Sequence, residues 1–254
     1  MPGYFDLSGR IALVTGASRG LGLAMAQALA EAGATVILNG RHAETLKVAA
    51  DRILDRGFSA ETSVFDVTNR HAADAAIQSI VARHQRLDIL IANAGITHRA
   101  QLADWTSETW GAVLEANLSA CFFLAQSAAV PMRSQGHGRI IFTTSVVGIL
   151  GRRTVHAYAA SKSGLAGLTR SLAAELGEYG ITCNAIAPGW FETELTASLV
   201  ADKAFVARIN DRVPLRRWGK PHDLGGTAIF LASDAAAYLT AQQIIVDGGL
   251  SATM

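Results

Sequence analysis

Tyr158 and Lys162 stand four residues apart, in the run Tyr158-Ala159-Ala160-Ser161-Lys162. On a helix that spacing puts both side chains on one face, one turn apart. A phenol is a poor acid at neutral pH, with an ordinary pKa near ~10. A neighbouring ammonium favours the phenolate. Such a pair could give and take a proton near neutrality, which the interconversion of a carbonyl and an alcohol requires.

The elements that must carry the pair follow from the patterning. Short apolar runs at 10–15, 35–38, 61–65, 89–92, 139–143, 182–186 and 243–246 read as strands. Amphipathic stretches such as 21–32, 43–56 and 69–84 lie between them. Strict alternation of strands and helices predicts an α/β fold with a parallel sheet and helices on both faces. Right-handed crossovers make it a doubly wound, Rossmann-like sheet of about seven strands. No linker, repeat or low-complexity segment interrupts 1–254, so one dinucleotide-binding domain is expected. The segment 190–214 breaks the rhythm between the last two strands. It has helical character and is expected to form a lid over a substrate site.

The first strand runs into Thr15-Gly16-Ala17-Ser18-Arg19-Gly20-Leu21-Gly22 and then a helix. Glycines there permit a tight turn and a close approach of backbone to a pyrophosphate. The helix N-terminus behind it offers unpaired N–H donors and the positive end of the dipole. The second strand ends in Val36-Ile37-Leu38-Asn39-Gly40-Arg41-His42, without the acid that would bind the ribose hydroxyls of NAD. Arg41 there, and Arg19 in the turn, are two cations suited to a 2′-phosphate. NADP(H) is therefore expected in preference to NAD(H).

Composition narrows the classes further. Half of the 254 residues are hydrophobic and 17% are charged, against roughly 25% charged in an average soluble protein. A well-buried sheet suits those values. The net charge of +1 gives no argument for a nucleic-acid partner. Positions 1–10 lack an apolar core of signal-peptide length, and the uncharged stretch 116–132 is expected to fall short of a membrane span. Cys121 and Cys183, in apolar surroundings, read as buried thiols of a cytoplasmic protein. No cysteine–histidine spacing suggests a metal site.

Taken together, these residues resemble the short-chain dehydrogenase/reductase family over essentially the whole chain. Thr15 to Gly22 is similar to that family's cofactor turn, and Asn93-Ala94-Gly95 to its segment after the fourth strand. Tyr158 and Lys162 match its Y-x-x-x-K motif. Asn117 and Ser145 stand at the positions of its helix asparagine and its serine after the fifth strand. Pro188-Gly189, followed by Thr193, resembles its later turn. The resemblance implies a metal-free oxidoreductase acting on CH–OH groups and commonly assembled as a homotetramer. It implies Tyr158 as general acid and base and Ser145 as hydrogen-bond donor to the developing alkoxide. Lys162 would hold the nicotinamide ribose, and Asn117 would stabilise a water linking Lys162 to solvent. Asp66 would approach the adenine, with Asn39 and Val67 beside it, and Thr193 would hold the carboxamide or a phosphate.

For the substrate, cations flank the expected site. His98 and Arg99 follow the Asn93-Ala94-Gly95 turn, and Arg152, Arg153 and His156 lie between Ser145 and Tyr158. An anionic substrate such as a sugar acid would find bidentate partners there, with Trp190 as a wall. The stretches 36–41, 65–68, 187–194 and 217–219 are similar to the gluconate 5-dehydrogenase branch of the family, which interconverts gluconate and 5-ketogluconate. Two enzyme alternatives stay open, a 3-oxoacyl-carrier-protein reductase and another sugar or polyol dehydrogenase. An alternative of another class is a dinucleotide-sensing regulator without catalysis. The expected partner is a small molecule, with neither nucleic acid nor membrane involved.

Overall fold

Seven short segments, most of them apolar, become seven parallel strands, and the chain between successive strands crosses a face of the sheet. The structure is a computed structural model and describes residues 3–253, apart from the side chain at 195. In chain order the elements are β1 (Ile11–Val14), α1 (Gly20–Glu31), β2 (Thr35–Gly40), α2 (Ala43–Leu54), β3 (Ala60–Val64), α3 (Arg70–His84), β4 (Ile89–Ala92), α4 (Ser107–Leu114) and α5 (Ala120–Gln135). There follow β5 (Gly138–Thr143), α6 (His156–Leu176), β6 (Ile181–Pro188), α7 (Ala197–Val200), α8 (Lys203–Arg212), α9 (Gly225–Ala232) and β7 (Gln243–Val246). The expected domain over 1–254 reaches positions 1, 2 and 254, which lie outside the described residues.

The strand order is β3-β2-β1-β4-β5-β6-β7. The winding reverses between β1 and β4, whose registers pair Ala12 with Ile89 and Val14 with Ile91. In a doubly wound sheet this switch point opens a crevice at the carboxyl ends of the strands, where ligands bind.

Both faces of the sheet are covered, so most strands are apolar without alternation. The two-residue period then assigns side chains to faces. Ala12 and Val14 of β1 and Val36 and Leu38 of β2 join α1, α2 and α9 on one side, with Leu29, Leu46 and Leu231 in the cluster. Ile11, Leu13 and Ile37 point the other way, against Ile77 of α3, Leu124 of α5 and Leu165 of α6. Cys121 and Cys183 are buried, free thiols in that second core. Burial pushes them up to about 11 and about 12.

Asn69 caps α3 by accepting from the Ala72 N–H at 3.1 Å. Thr106 and Thr109 form a reciprocal capping box at α4. From there the helix continues to Gln135, interrupted only by a π-helical turn over Glu115–Ser119. The expectation that 116–132 is too short for a membrane span needs correction. The 29-residue helical stretch Ser107–Gln135 is long and apolar enough to cross one by length and composition. Half of its most apolar window is buried in the fold, and Leu124, Ala125 and Ala128 pack in the second core.

The segment between β6 and β7 carries α7 and α8. Asp202 caps α8 by accepting from the Phe205 N–H at 3.0 Å. Ile209 and Val213 bury with Trp218 and Leu250 in a small core of their own.

Candidate active site

The phosphate-type turn is built by two loops that deny each other space. Gly16 and Gly20 take φ of +63° and +58°, in the left-handed region that glycine enters without strain. A Cβ on Gly16 would lie 2.9 Å from the Ala94 Cα, and one on Gly22 would strike the Gly16 carbonyl oxygen and come within 2.5 Å of Asn93 Nδ2. The loops are also bonded together. Asn93 Nδ2 donates to the Thr15 carbonyl at 3.0 Å, and Thr15 Oγ1 accepts from the N–H groups of Asn93 and Ala94 at 3.0 and 3.1 Å. Arg19, at the N-cap of α1, accepts no side-chain capping bond, and the first turn holds no acid. The result is a backbone cradle at a helix N-terminus, a shape and field that suit a phosphate.

Around the adenosine end the structure refines the expectations. The Asn39 side chain is buried and donates to the carbonyls of Ser63 and Phe65 at 3.2 and 3.0 Å. Its Nδ2 braces the end of β2 against β3 and the residue after it. Arg41 is exposed, with Nη1 3.9 Å from Asp66 Oδ2. Asp66 accepts from the Thr68 N–H at 2.9 Å and hydroxyl at 2.8 Å. The backbone bond from Thr68, with Arg41 also contributing, holds its carboxyl below the usual range. Val67 packs against the second core. Arg19 is exposed at the tip of the glycine turn.

Tyr158 and Lys162 both lie on α6. Lys162 is 4% exposed, and its Nζ donates to the Thr143 carbonyl at 2.6 Å. The same Nζ lies 5.6 Å from the centroid of the Tyr158 ring. Among the described residues no carboxylate pairs with this ammonium. Two of its three N–H donors are left for a ligand. Ser145 follows β5, and its Oγ accepts from the Val147 N–H at 3.1 Å. That bond leaves the hydroxyl proton free to be donated.

Asn117 lies in the π-helical turn and is fully buried. Its Oδ1 accepts from the Ile96 N–H at 2.8 Å, and its Nδ2 donates to the Ile96 carbonyl at 2.9 Å and to Ser161 Oγ at 3.2 Å. The side chain thus ties the loop after β4 to α6, one residue before Lys162. A π-turn widens the helix locally and is frequent at functional sites.

A cavity of about 620 Å³ opens beside Ser145 and Tyr158. Arg99, Arg152, Arg153, Arg208 and Arg212 line it, with no Asp or Glu among its described lining residues. None of the five arginines makes a salt bridge to a described residue. The Arg152 guanidinium stacks on Trp190, with Cζ 4.4 Å from the ring centroid. Burial, reinforced by Arg99, holds it below its usual range, against the opposing effect of Tyr158. His98 and His156 do not line the cavity. They pack edge-on against Trp105, at centroid distances of 5.1 and 6.0 Å.

Gly189 and Trp190 complete the wall after Pro188. A Cβ on Gly189 would lie 2.6 Å from Asp247 Cβ. Thr193 caps a short 3₁₀ turn and lies against Gly20. Beside it the Glu194 carboxylate approaches the same glycine, with Oε2 3.6 Å from where a Cβ would stand. A more open cleft of about 780 Å³ runs from there along α1, but neither Ser145 nor Tyr158 borders it. The sequence reading missed Arg208, Arg212 and Glu194. The first two stand four apart within the expected lid, so helical spacing could have found them. Nothing local marks Glu194.

Comparison with known proteins agrees with this geometry. A family model described as enoyl-(acyl carrier protein) reductase matches residues 16–251. The chain is 41% identical over 253 residues to a gluconate 5-dehydrogenase of Gluconobacter oxydans, covering 100% of this chain and 99% of that one. It is 40% identical to a 3-oxoacyl-[acyl-carrier-protein] reductase of Synechocystis, covering 96% and 98%. The crystal structure of a gluconate 5-dehydrogenase from Burkholderia cenocepacia, in complex with NADP and tartrate, superposes with a TM-score of 0.95. Its identity is 44%, and coverage is 99% of this chain and 98% of that one.

Proposed function

The chain belongs to the short-chain dehydrogenase/reductase family of oxidoreductases, and on that premise we propose that it moves a hydride between NADP(H) and a sugar acid of the gluconate and 5-ketogluconate type. The observation that carries this reading is the joining of two sites. The proton-transfer group Tyr158, with Ser145, borders a cavity lined by five arginines and no described acid.

In the reductive direction Tyr158 gives its proton to the substrate oxygen, and in oxidation it takes the proton back. Ser145 donates a hydrogen bond to the same oxygen as negative charge develops. Lys162 supplies the buried positive charge that offsets the charge left on the phenol oxygen, and its free donors reach a ribose hydroxyl. Asn117 fixes the loop through Ile96 and so sets the height of α6 against the glycine turn. NADP(H), when bound, supplies or accepts the hydride. The cradle of Gly16, Gly20 and Gly22 seats its pyrophosphate, and Thr193 reaches the same ligand. Arg19 and Arg41 face its 2′-phosphate, which favours NADP(H) over NAD(H). NADP in the Burkholderia relative supports the use of this cofactor.

The segment 190–214 acts as a lid on one domain. Trp190, Thr196, Phe205, Arg208 and Arg212 all reach the cavity from it. Phe122 and Val130, exposed on α5, suit assembly as a homotetramer, which light scattering would measure. Free, buried thiols suit the cytoplasm.

A second enzyme reading, a 3-oxoacyl-carrier-protein reductase, is favoured by the Synechocystis relative. Absorbance at 340 nm with gluconate, 5-ketogluconate, polyols and acetoacetyl thioester, each with both nucleotides, separates the two. Turnover confined to the thioester would sink the sugar-acid reading.

A further inference from the structure

The five arginines are not one cluster. Arg99, Arg152 and Arg153 rise from the loops after β4 and β5. Arg208 and Arg212 reach it from α8. They are spaced i,i+4, so one helix face carries two like charges, an arrangement that destabilises a helix. Neither has an acidic partner among the described residues.

Each group is carried on its own aromatic ring. The Arg152 guanidinium sits 4.4 Å from the Trp190 ring centroid and the Arg208 Cζ sits 5.1 Å from that of Phe205, and the two rings meet edge-on at 5.3 Å. The cavity therefore has two cationic poles, one from the loops and one from α8. A monoanionic sugar acid would neutralise one pole and leave the other facing its hydroxyls. Like charges around a low-dielectric cavity repel, so two poles without acids point to two anionic groups on one ligand.

We propose that the preferred substrate is a dianion, a polyhydroxy acid with a second anionic group at its far end, held by Arg208 and Arg212. This rests on the sugar-acid reading above and narrows it. The reaction stays balanced and unchanged. The secondary alcohol is oxidised to a ketone, its hydride reduces NADP⁺, and its hydroxyl proton passes to Tyr158. The second anion is a carboxylate or a phosphate ester, and both match the bidentate guanidinium fork.

The test compares kcat/KM for gluconate, glucarate and 6-phosphogluconate in the native enzyme, in Arg208→Ala and in Arg212→Ala. The native enzyme is expected to prefer at least one dianion over gluconate about tenfold or more, the scale of one charge-assisted hydrogen bond. Each substitution should bring that ratio down toward one, chiefly through KM, and calorimetric affinity for the preferred dianion should fall in parallel. The arm that wins tells carboxylate from phosphate. Arg208→Gln and Arg212→Gln repeat the test if an alanine variant folds poorly. A native ratio at or below one, or a ratio the substitutions leave unmoved, overturns the proposal while the sugar-acid reading stands. No turnover of any sugar acid overturns both.

Discussion

Asn117 and the backbone of Ile96 hold each other by both ends, N–H to Oδ1 at 2.8 Å and Nδ2 to carbonyl at 2.9 Å. A buried side chain thus replaces a secondary-structure partner for the loop residue that directly follows the Asn93-Ala94-Gly95 turn. Asn117→Ala leaves two backbone groups without that partner. A loss of ~2–6 kcal/mol in stability by urea denaturation is expected, from ~1–3 kcal/mol for each of the two unsatisfied groups. Turnover should fall with it, because Gly95 and Lys162 lose their common brace.

Tyr158→Phe keeps the ring and removes the proton. Turnover should drop about 10²- to 10⁴-fold, the usual worth of a positioned acid–base group. Binding of NADPH, read by fluorescence titration, should persist. A variant with native turnover would remove Tyr158 from the chemistry. NADPH binding without turnover in the native protein would instead favour the sensing alternative.

Arg41 is exposed and has only a long contact, 3.9 Å, to Asp66. Arg41→Ala should raise the Kd for NADPH about 10- to 100-fold, the loss of one charge-assisted pair with a phosphate. The Kd for NADH should change far less. Equal losses for both nucleotides would exclude a 2′-phosphate role.

Two glycine substitutions should act in opposite directions. Gly22→Ala drives a methyl into the Gly16 carbonyl and Asn93 Nδ2. Overpacking of that kind costs about 1–3 kcal/mol or more, and NADPH affinity should fall as the cradle distorts. Gly111 lies within α4 with open space around it. Gly111→Ala should therefore stabilise by about 0.5–1 kcal/mol through helix propensity. Thermal unfolding of the two variants measures both signs.

His137 sits among Arg10, Asp88, Arg139 and Asp234 at the end of the sheet far from Tyr158. Arg10 Nη1 lies 3.1 and 3.0 Å from its two ring nitrogens. Burial, reinforced by Arg139 and Arg10, pushes it down to about 4. The unfolded chain then binds a proton below about 6.5 that the folded chain refuses until about 4. Stability should fall as pH drops through that window. Asp88, held below the usual carboxylate range by Arg86 and the Ile11 N–H although burial opposes this, protects the fold through the same window and fails only below it. Replacing His137 by Gln should flatten the slope of Tm between pH 6.5 and 4.5.

Most strands were legible because a sheet covered on both faces needs apolar runs. Most boundaries fall within a residue or two of the expected ones, as at β4 over Ile89–Ala92. Gly16 and Gly22 were legible as a turn, but not as a turn whose missing side chains make room for Asn93 and Ala94. That contact joins residues more than 70 positions apart and leaves no local trace. The π-turn around Asn117 was hidden for a similar reason, since the partner of its side chain, the Ile96 backbone, lies 21 positions away. His98 and His156 pack against Trp105 and do not line the cavity that Arg99 and Arg152 enter, an aromatic contact that charge alone does not reveal.

The stacking of Arg152 on Trp190 gives the chain an intrinsic optical label. An indole under a guanidinium emits according to the charge and solvent around it. Trp190 also touches Trp218 and Phe205, at 5.2 and 5.3 Å. Whatever neutralises Arg152 or shifts α8 alters the surroundings of that ring before any bond is made or broken. Arrival of a ligand in the arginine cavity should therefore be visible in unmodified protein as a change in emission, separable in a stopped-flow trace from the nicotinamide signal that reports chemistry.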